Sequence, residues 1–166
     1  LEVNPATETF YNSSTCSAYY LNADGANASM NRGNAEIREV PTSLFTDDVI
    51  ASFDGYRDAA VVMLSRIGGE GTDCDIVNGY LELSQEEKDL IDLADSSFDK
   101  VVVLVNTAHA IALGYLEDKV DAVVWMGLPG DYGMDTVGEI IAGKVNPSGK
   151  LVGTYAHSSK SAHSAW

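Results

Sequence analysis

The sequence predicts an α/β fold, a three-layer α/β/α sandwich around a mostly parallel sheet. The first observation is a set of three short apolar runs, at residues 59–64, 101–105 and 122–126. The second is that helical patterns lie between these runs and after the last one. Strands that alternate with helices are typical of a parallel sheet with helices on both faces. Unbroken apolar runs are typical of strands that are covered on both faces.

The first two helices have recognisable starts. Residues 45–53 carry apolar side chains at helical spacing, and acidic residues stand near the start of this stretch, where they suit the helix dipole. Ser84 and Glu87 have the spacing of a capping box, and an apolar face follows them. Both stretches are therefore predicted as helices.

Three further elements are predicted towards the carboxyl end of the chain. A short helix is expected over residues 110–116, and a last helix has its apolar stripe within residues 134–141. Gly143 stands where a helix C-terminal cap belongs. Residues 151–155 are predicted as one more strand at an edge of the sheet.

The chain divides into three parts within one domain that spans residues 1–166. Residues 1–42 are rich in Asn, Ser, Ala and Gly and are predicted as an irregular excursion, with a short edge strand at 36–40. Residues 43–155 form the regular α/β core, and residues 156–166 form a tail.

Composition excludes several classes of function. The chain has 166 residues, with 10 Lys+Arg against 25 Asp+Glu and a net charge of −15. Such an acidic chain is a poor partner for nucleic acid. No apolar run approaches the ~18 residues of a membrane span, and no signal-like start is seen. Cys16 and Cys74 fit no zinc-binding spacing, so paired and free thiols both stay open, as does the compartment.

The loop after the first strand has the most unusual chemistry. Three glycines surround Glu70 in the run 68–71, and ligands gather at the carboxyl ends of strands in α/β sheets. Glu70 is therefore either an acid, base or ligand held out on a tight loop, or a solvated side chain in a glycine-rich turn. The loop lacks the lysine of a phosphate-binding loop, and its acids do not have the spacing of a calcium loop.

Other polar residues at this edge carry weaker signals. His109 follows the second strand, where it is either exposed in a cleft or engaged in local hydrogen bonds. Asp131 and Tyr132 follow the third strand, and ordinary loop packing explains them as well as a site does.

Two runs of the sequence are distinctive. The loop segment reads Asp-Ala-Ala-Val-Val-Met-Leu-Ser-Arg-Ile-Gly-Gly-Glu-Gly-Thr-Asp, and a later run reads Asn-Pro-Ser-Gly-Lys-Leu. With three further segments, they resemble the second, α/β-sandwich domain of glycoside hydrolase family 3. The matching segments occur in the family's order and are residues 58–73, 83–90, 101–106, 125–130 and 140–151.

The resemblance implies a domain of a retaining β-glycosidase, similar to β-glucosidases, that hydrolyses terminal β-linked sugars. Glu70 would supply the general acid/base, with Gly69, Gly71 and Asp73 near the substrate. The family's nucleophile, an Asp, lies on a separate (β/α)8 barrel that this chain lacks. The expected partners are thus a β-glycoside or oligosaccharide and that barrel, with no cofactor, metal, nucleic acid or membrane.

The sequence also departs from the family's pattern. Cys74 stands where the family commonly has Arg, and residues 130–133 replace a Gly-Gln-Glu-x-Gly run. The family's first strand and helix are expected to be missing, which makes this a partial domain. We expect the isolated fragment to be inactive. The alternative is a non-catalytic sugar-binding or scaffold module derived from the same fold.

Overall fold

A parallel sheet lies at the centre of the fold. The computed structural model describes residues 1–20, 38–66 and 81–161. Within these ranges the sheet has three strands, β1 (Ala60–Ser65), β2 (Val101–Asn106) and β3 (Ala122–Trp125), in the order β1-β2-β3. Both neighbouring pairs are parallel. The predicted α/β fold with a parallel sheet is therefore confirmed.

Capping side chains mark the starts of several helices. They are α1 (Pro5–Tyr11), α2 (Ser14–Tyr20), α3 (Asp47–Ser52), α4 (Gln85–Ser97) and α5 (Gly130–Ile141). The Thr46 side chain caps α3, and both hydrogen bonds of the capping box are present at the start of α4. Beyond α5, Gly143 has a φ of +69°. Over the described parts of the chain, no helix has the length and apolar character needed to cross a membrane.

Helix α4 packs between two hydrophobic clusters. On one side, Ile91 and Ala94 meet the sheet face formed by residues of β1 and β2, with Leu116 beside them. On the other side, Leu90, Leu93 and Phe98 pack against a cluster from the N-terminal helices. Each large aliphatic side chain buried in this way contributes about 1.5–3 kcal/mol. The helix is thereby fixed relative to the strand that precedes it.

The opposite face of the sheet is only partly covered. Leu104 of β2 is buried there, whereas Val61 and Met63 of β1 are 49% and 39% exposed. The prediction that the first apolar run is covered on both faces is therefore wrong among the described residues. An apolar run shows that a strand is hydrophobic on both faces, but it does not supply the element that covers the second face.

The N-terminal region is more regular than predicted. Within residues 1–20, where an irregular excursion was predicted, Pro5–Tyr11 and Ser14–Tyr20 form the helices α1 and α2. The side chain of Asn4 accepts hydrogen bonds from the backbone of Ala6 and Thr7, and Pro5 begins the helix. Residues 38–40 are not a strand, and the rest of that predicted strand lies outside the described residues.

Two predictions near the carboxyl end are also corrected. Only Gly114–Leu116 forms a short 3-10 helix where a longer helix was expected over 110–116. Residues 151–155 form no strand. The chain beyond them instead hydrogen-bonds to the 3-10 helix region, because the N–H groups of Leu113 and Gly114 donate to the carbonyls of Ala156 and His157.

Candidate active site

The carboxyl ends of all three strands lie at one edge of the sheet. The register pairs Ser65 with Asn106, and Val105 with Trp125. Three loops therefore leave the sheet side by side, which is where ligands bind in parallel α/β sheets. This edge is the candidate site.

The predicted site residues themselves lie outside the described residues. Glu70, Gly69, Gly71 and Asp73 all belong to the loop segment 67–80, as does Cys74. The structure does describe both ends of that loop, with Ser65 and Arg66 before it and Leu81 and Glu82 after it.

Arg66 joins the two ends of the loop. Its side chain is 5% exposed. Nη1 donates to the carbonyl oxygen of Ser65 at 2.9 Å, and Nη2 donates to the carbonyl oxygen of Glu82 at 3.1 Å. The guanidinium also binds both carboxylate oxygens of Glu87, at 2.5 and 2.8 Å. This bidentate geometry is the strongest pairing available to an arginine and a carboxylate.

Glu87 links this ion pair to the start of α4. Its carboxylate accepts a hydrogen bond from the N–H of Ser84 at 2.8 Å, while its own N–H donates to the Ser84 hydroxyl. The side chain of Glu87 is 8% exposed. The same carboxylate therefore caps the helix and holds the arginine.

The exit of the loop is held by further contacts. The carbonyl oxygen of Leu81 accepts from the N–H of Ala112 at 2.7 Å. The carboxylate of Glu82 accepts from the N–H of Ser159 at 2.6 Å. Hydrogen bonds from the side chain and backbone of Ser159 lower the pKa of Glu82 below its ordinary value. The exit is thus fixed to the core on one side and to the tail on the other.

A second carboxyl group lies near this ion pair. Glu39 is half-buried and accepts hydrogen bonds from the N–H of Val40 and the hydroxyl of Tyr11. Burial raises the pKa of Glu39 above its ordinary value, and the charge of Glu87 adds to the effect. The hydrogen bonds from Val40 and Tyr11 act in the opposite direction.

The end of β2 brings His109 to this edge. Thr107 is fully buried, and its hydroxyl oxygen accepts a hydrogen bond from the N–H of His109 at 2.9 Å. Nε2 of His109 is buried and has no hydrogen-bond partner among the described residues. His109 precedes the 3-10 helix Gly114–Leu116 in the chain.

The end of β3 presents exposed apolar groups. Gly127 has a φ of +62°, and a Cβ there would lie 3.3 Å from the Trp125 ring, so this turn needs glycine. Leu128 and Tyr132 are 63% and 94% exposed, and Asp131 is also exposed. Asp131 and Tyr132 lie in the first turn of α5.

A cavity among the described residues lies away from this site. It has a volume of about 440 Å³ and is lined by residues at the amino end of β3 together with Tyr155 and His157. It therefore opens at the edge opposite the candidate site. Among the residues that the structure describes, no three His, Cys, Asp or Glu side chains are grouped to hold a metal ion.

The ion pair is the feature that sequence reasoning missed. Arg66 is part of the motif that carried the resemblance, and Glu87 was identified only as half of a capping box. The two are 21 residues apart, so no local spacing connects them. The available signal was a charged residue directly after an apolar strand, because a charge that is buried there needs a buried partner.

Comparisons with known proteins agree with this architecture. The family model described as "Glycosyl hydrolase family 3 C-terminal domain" matches residues 16–165. Beta-glucosidase A of Butyrivibrio fibrisolvens is 28% identical over 134 residues, covering 66% of this chain and 16% of that protein. A beta-glucosidase of Schizophyllum commune is 35% identical over 136 residues, covering 72% of this chain and 66% of that sequence.

A solved structure gives the same result. Beta-glucosidase 3B from Thermotoga neapolitana, in complex with glycerol, matches with a TM-score of 0.62 and 30% identity. The match covers 80% of this chain and 19% of the Thermotoga chain. The chain thus spans a small part of the length of several relatives. These matches place it in the same domain family that the motifs indicated.

Proposed function

The chain belongs to the family of glycosyl hydrolase family 3 C-terminal domains, and we propose that it supplies one half of the active site of a retaining β-glycosidase. The other half is a (β/α)8 barrel that bears the nucleophile. Glu70 is the general acid/base. The observation that carries this proposal is the origin of the Glu70 loop at the carboxyl edge of a parallel sheet, with both of its ends fixed.

The first chemical step forms a glycosyl-enzyme intermediate. A barrel Asp attacks the anomeric carbon, and the bond from that carbon to the leaving oxygen breaks. Glu70 gives its proton to the leaving oxygen, so the aglycone departs as a neutral alcohol.

The second step releases the sugar. Glu70, now a carboxylate, takes a proton from a water molecule, and the resulting oxygen attacks the anomeric carbon and displaces the Asp. Retention of configuration requires the two carboxyl groups to lie ~5–5.5 Å apart. The loop must therefore reach across to the barrel, and the glycines beside Glu70 suit a close approach.

The proposed substrates are β-glucosides. The bacterial and fungal relatives described above are named beta-glucosidases, and the Gly-Glu-Gly form of the loop agrees with that group. β-Xylosides, galactosides and arabinosides are the other substrate classes to be tested. The chain on its own is proposed to be inactive, because the nucleophile and most sugar contacts belong to the barrel.

The test compares wild type and Glu70→Ala in a polypeptide that joins this domain to its barrel. Two substrates are used, phenyl β-glucoside, with a poor leaving group, and 2,4-dinitrophenyl β-glucoside, with a good one. We expect kcat/KM for the phenyl glucoside to fall by about 10²–10⁴. The glycosylation step on the dinitrophenyl glucoside should change little, because that leaving group needs no proton. Azide should restore turnover by replacing the activated water.

A matched control is Glu139→Ala, which removes an exposed carboxylate from α5. It should leave both substrates near the wild-type rate. An equal, modest loss on both substrates for Glu70→Ala would assign Glu70 a structural role. An inert wild type that still binds sugar would favour the non-catalytic module.

A further inference from the structure

A buried ion pair connects the ends of the loop to the start of a helix. Arg66 contacts the carbonyl oxygens of Ser65 and Glu82 and the carboxylate of Glu87. One guanidinium therefore joins the end of β1, the exit of the loop and the first turn of α4. This group of contacts is called the loop clamp below.

The loop clamp contributes more to the fixed arrangement of its groups than to the free energy of unfolding. Taking an arginine and a carboxylate out of water costs nearly as much as their attraction returns. What the pair does supply is a fixed arrangement, because a planar guanidinium in bidentate contact has little freedom to rotate. The carboxylate is oriented as well, since it also accepts the N–H of Ser84.

Chain length ties Glu70 to the loop clamp. Glu70 follows Arg66 by four residues. At ~3.6 Å per residue, its Cα cannot lie more than about 14 Å from that of Arg66. An acid/base must be held within about 0.5 Å of its productive position, and a displacement of about 1 Å costs about a hundredfold in rate.

We propose that Arg66 and Glu87 are positioning residues for Glu70: the loop clamp sets the geometry in which Glu70 protonates the leaving oxygen. This inference rests on the proposed function. In this proposal Arg66 and Glu87 act through Glu70 and not on the substrate, so they are positioning residues and not catalytic ones. Their loss should therefore weaken acid catalysis while leaving attack by the barrel nucleophile intact.

The test uses Arg66→Lys and Glu87→Gln in the polypeptide that contains both domains. A lysine ammonium cannot reach all the acceptors that the guanidinium joins, and a glutamine cannot accept at both of its side-chain positions. Matched controls are Arg57→Lys and Asp54→Asn, which alter an exposed ion pair between side chains that are 54% and 82% exposed.

The measured quantity is a ratio of two kcat/KM values. The numerator is kcat/KM for phenyl β-glucoside, and the denominator is kcat/KM for 2,4-dinitrophenyl β-glucoside, which reports the glycosylation step. Both values come from one preparation, so a partly unfolded variant lowers both and leaves their ratio unchanged. We expect the ratio to fall by about 10- to 100-fold in both clamp variants, with azide increasing turnover. The control variants should keep the wild-type ratio.

The two clamp variants should also be non-additive. Because both remove the same arrangement, the double variant is expected to show nearly the same ratio as either single variant. An unchanged ratio in both single variants, while Glu70→Ala shows a large fall, would overturn the positioning role. A Glu70→Ala variant with an unchanged ratio would overturn the proposed function itself and this inference with it.

Discussion

An ion pair lies at each end of the parallel strands, and one pair is buried whereas the other is exposed. At the carboxyl edge, Arg66 and Glu87 are 5% and 8% exposed. At the amino edge, Lys100 and Asp121 form an ion pair with side chains that are 64% and 40% exposed. Asp121 also accepts the N–H of Val101 at 2.8 Å, so this pair too ties a strand end to a neighbouring segment.

The difference shows what burial adds to an ion pair. At the amino edge, water and salt compete with the attraction, so the contact is weak and replaceable. At the carboxyl edge, each charge depends on the other because water cannot take the place of a missing partner. The edge that is proposed to carry chemistry is therefore the one with the less replaceable geometry.

The largest effect on stability is expected from breaking the buried pair. Arg66→Met leaves the Glu87 carboxylate buried without its arginine, and we expect the free energy of unfolding of the chain to fall by about 3–5 kcal/mol. Urea-induced unfolding followed by circular dichroism measures the loss. The double variant Arg66→Met/Glu87→Leu should recover part of it, because it removes both charges. A single variant that loses less than about 1 kcal/mol would mean that the pair is solvated.

A smaller effect, with a definite pH dependence, is expected at Glu39. Burial raises its pKa in the folded chain above the ordinary value of 4.5, so folding favours the protonated form. Its contribution to stability is thus complete below pH 4.5 and is lost as the pH rises through the higher folded value. Glu39→Gln should lose this dependence. Chemical unfolding from pH 4 to 8 compares the two chains, and parallel curves would contradict the prediction.

The smallest effect is expected from breaking the exposed pair. Lys100→Met should change the unfolding midpoint little near neutral pH, and added salt should reduce even that change. The hydrogen bond from Lys100 is the main cause that lowers the pKa of Asp121 below its ordinary value of 3.8. The matching stability is present above pH 3.8 and is lost as the pH falls through the lower folded value. A loss in Lys100→Met as large as that in Arg66→Met would show that burial does not set the difference.

The elements with local signals were predicted from sequence. The start of α3 at Thr46 and the capping box of Ser84 and Glu87 depend on residues within one turn. The three strands follow from their apolar runs. In these elements, local chemistry and the overall fold favour the same structure.

What the sequence did not reveal depends on contacts between distant segments. The partner of Arg66 is 21 residues away. Residues 151–155 have the composition of a strand, but the chain after them bonds to Leu113 and Gly114 instead of extending the sheet. Helix α1 differs from these cases, because its start signal is local: Asn4 and Pro5 form an ordinary helix start within a polar stretch whose composition is typical of a loop.

The loop clamp also bears on how such a domain can acquire new specificity. The ends of the loop are fixed by groups that lie outside segment 67–80. For a flexible loop with fixed ends, doubling its length costs only about 0.6 kcal/mol in closure entropy. By this argument, lengthening segment 67–80 is expected to cost the fold little while the described clamp contacts stay the same. Protein engineering could therefore vary the length of this segment, and with it the distance that the Glu70 carboxyl group spans towards the barrel, with little effect on folding.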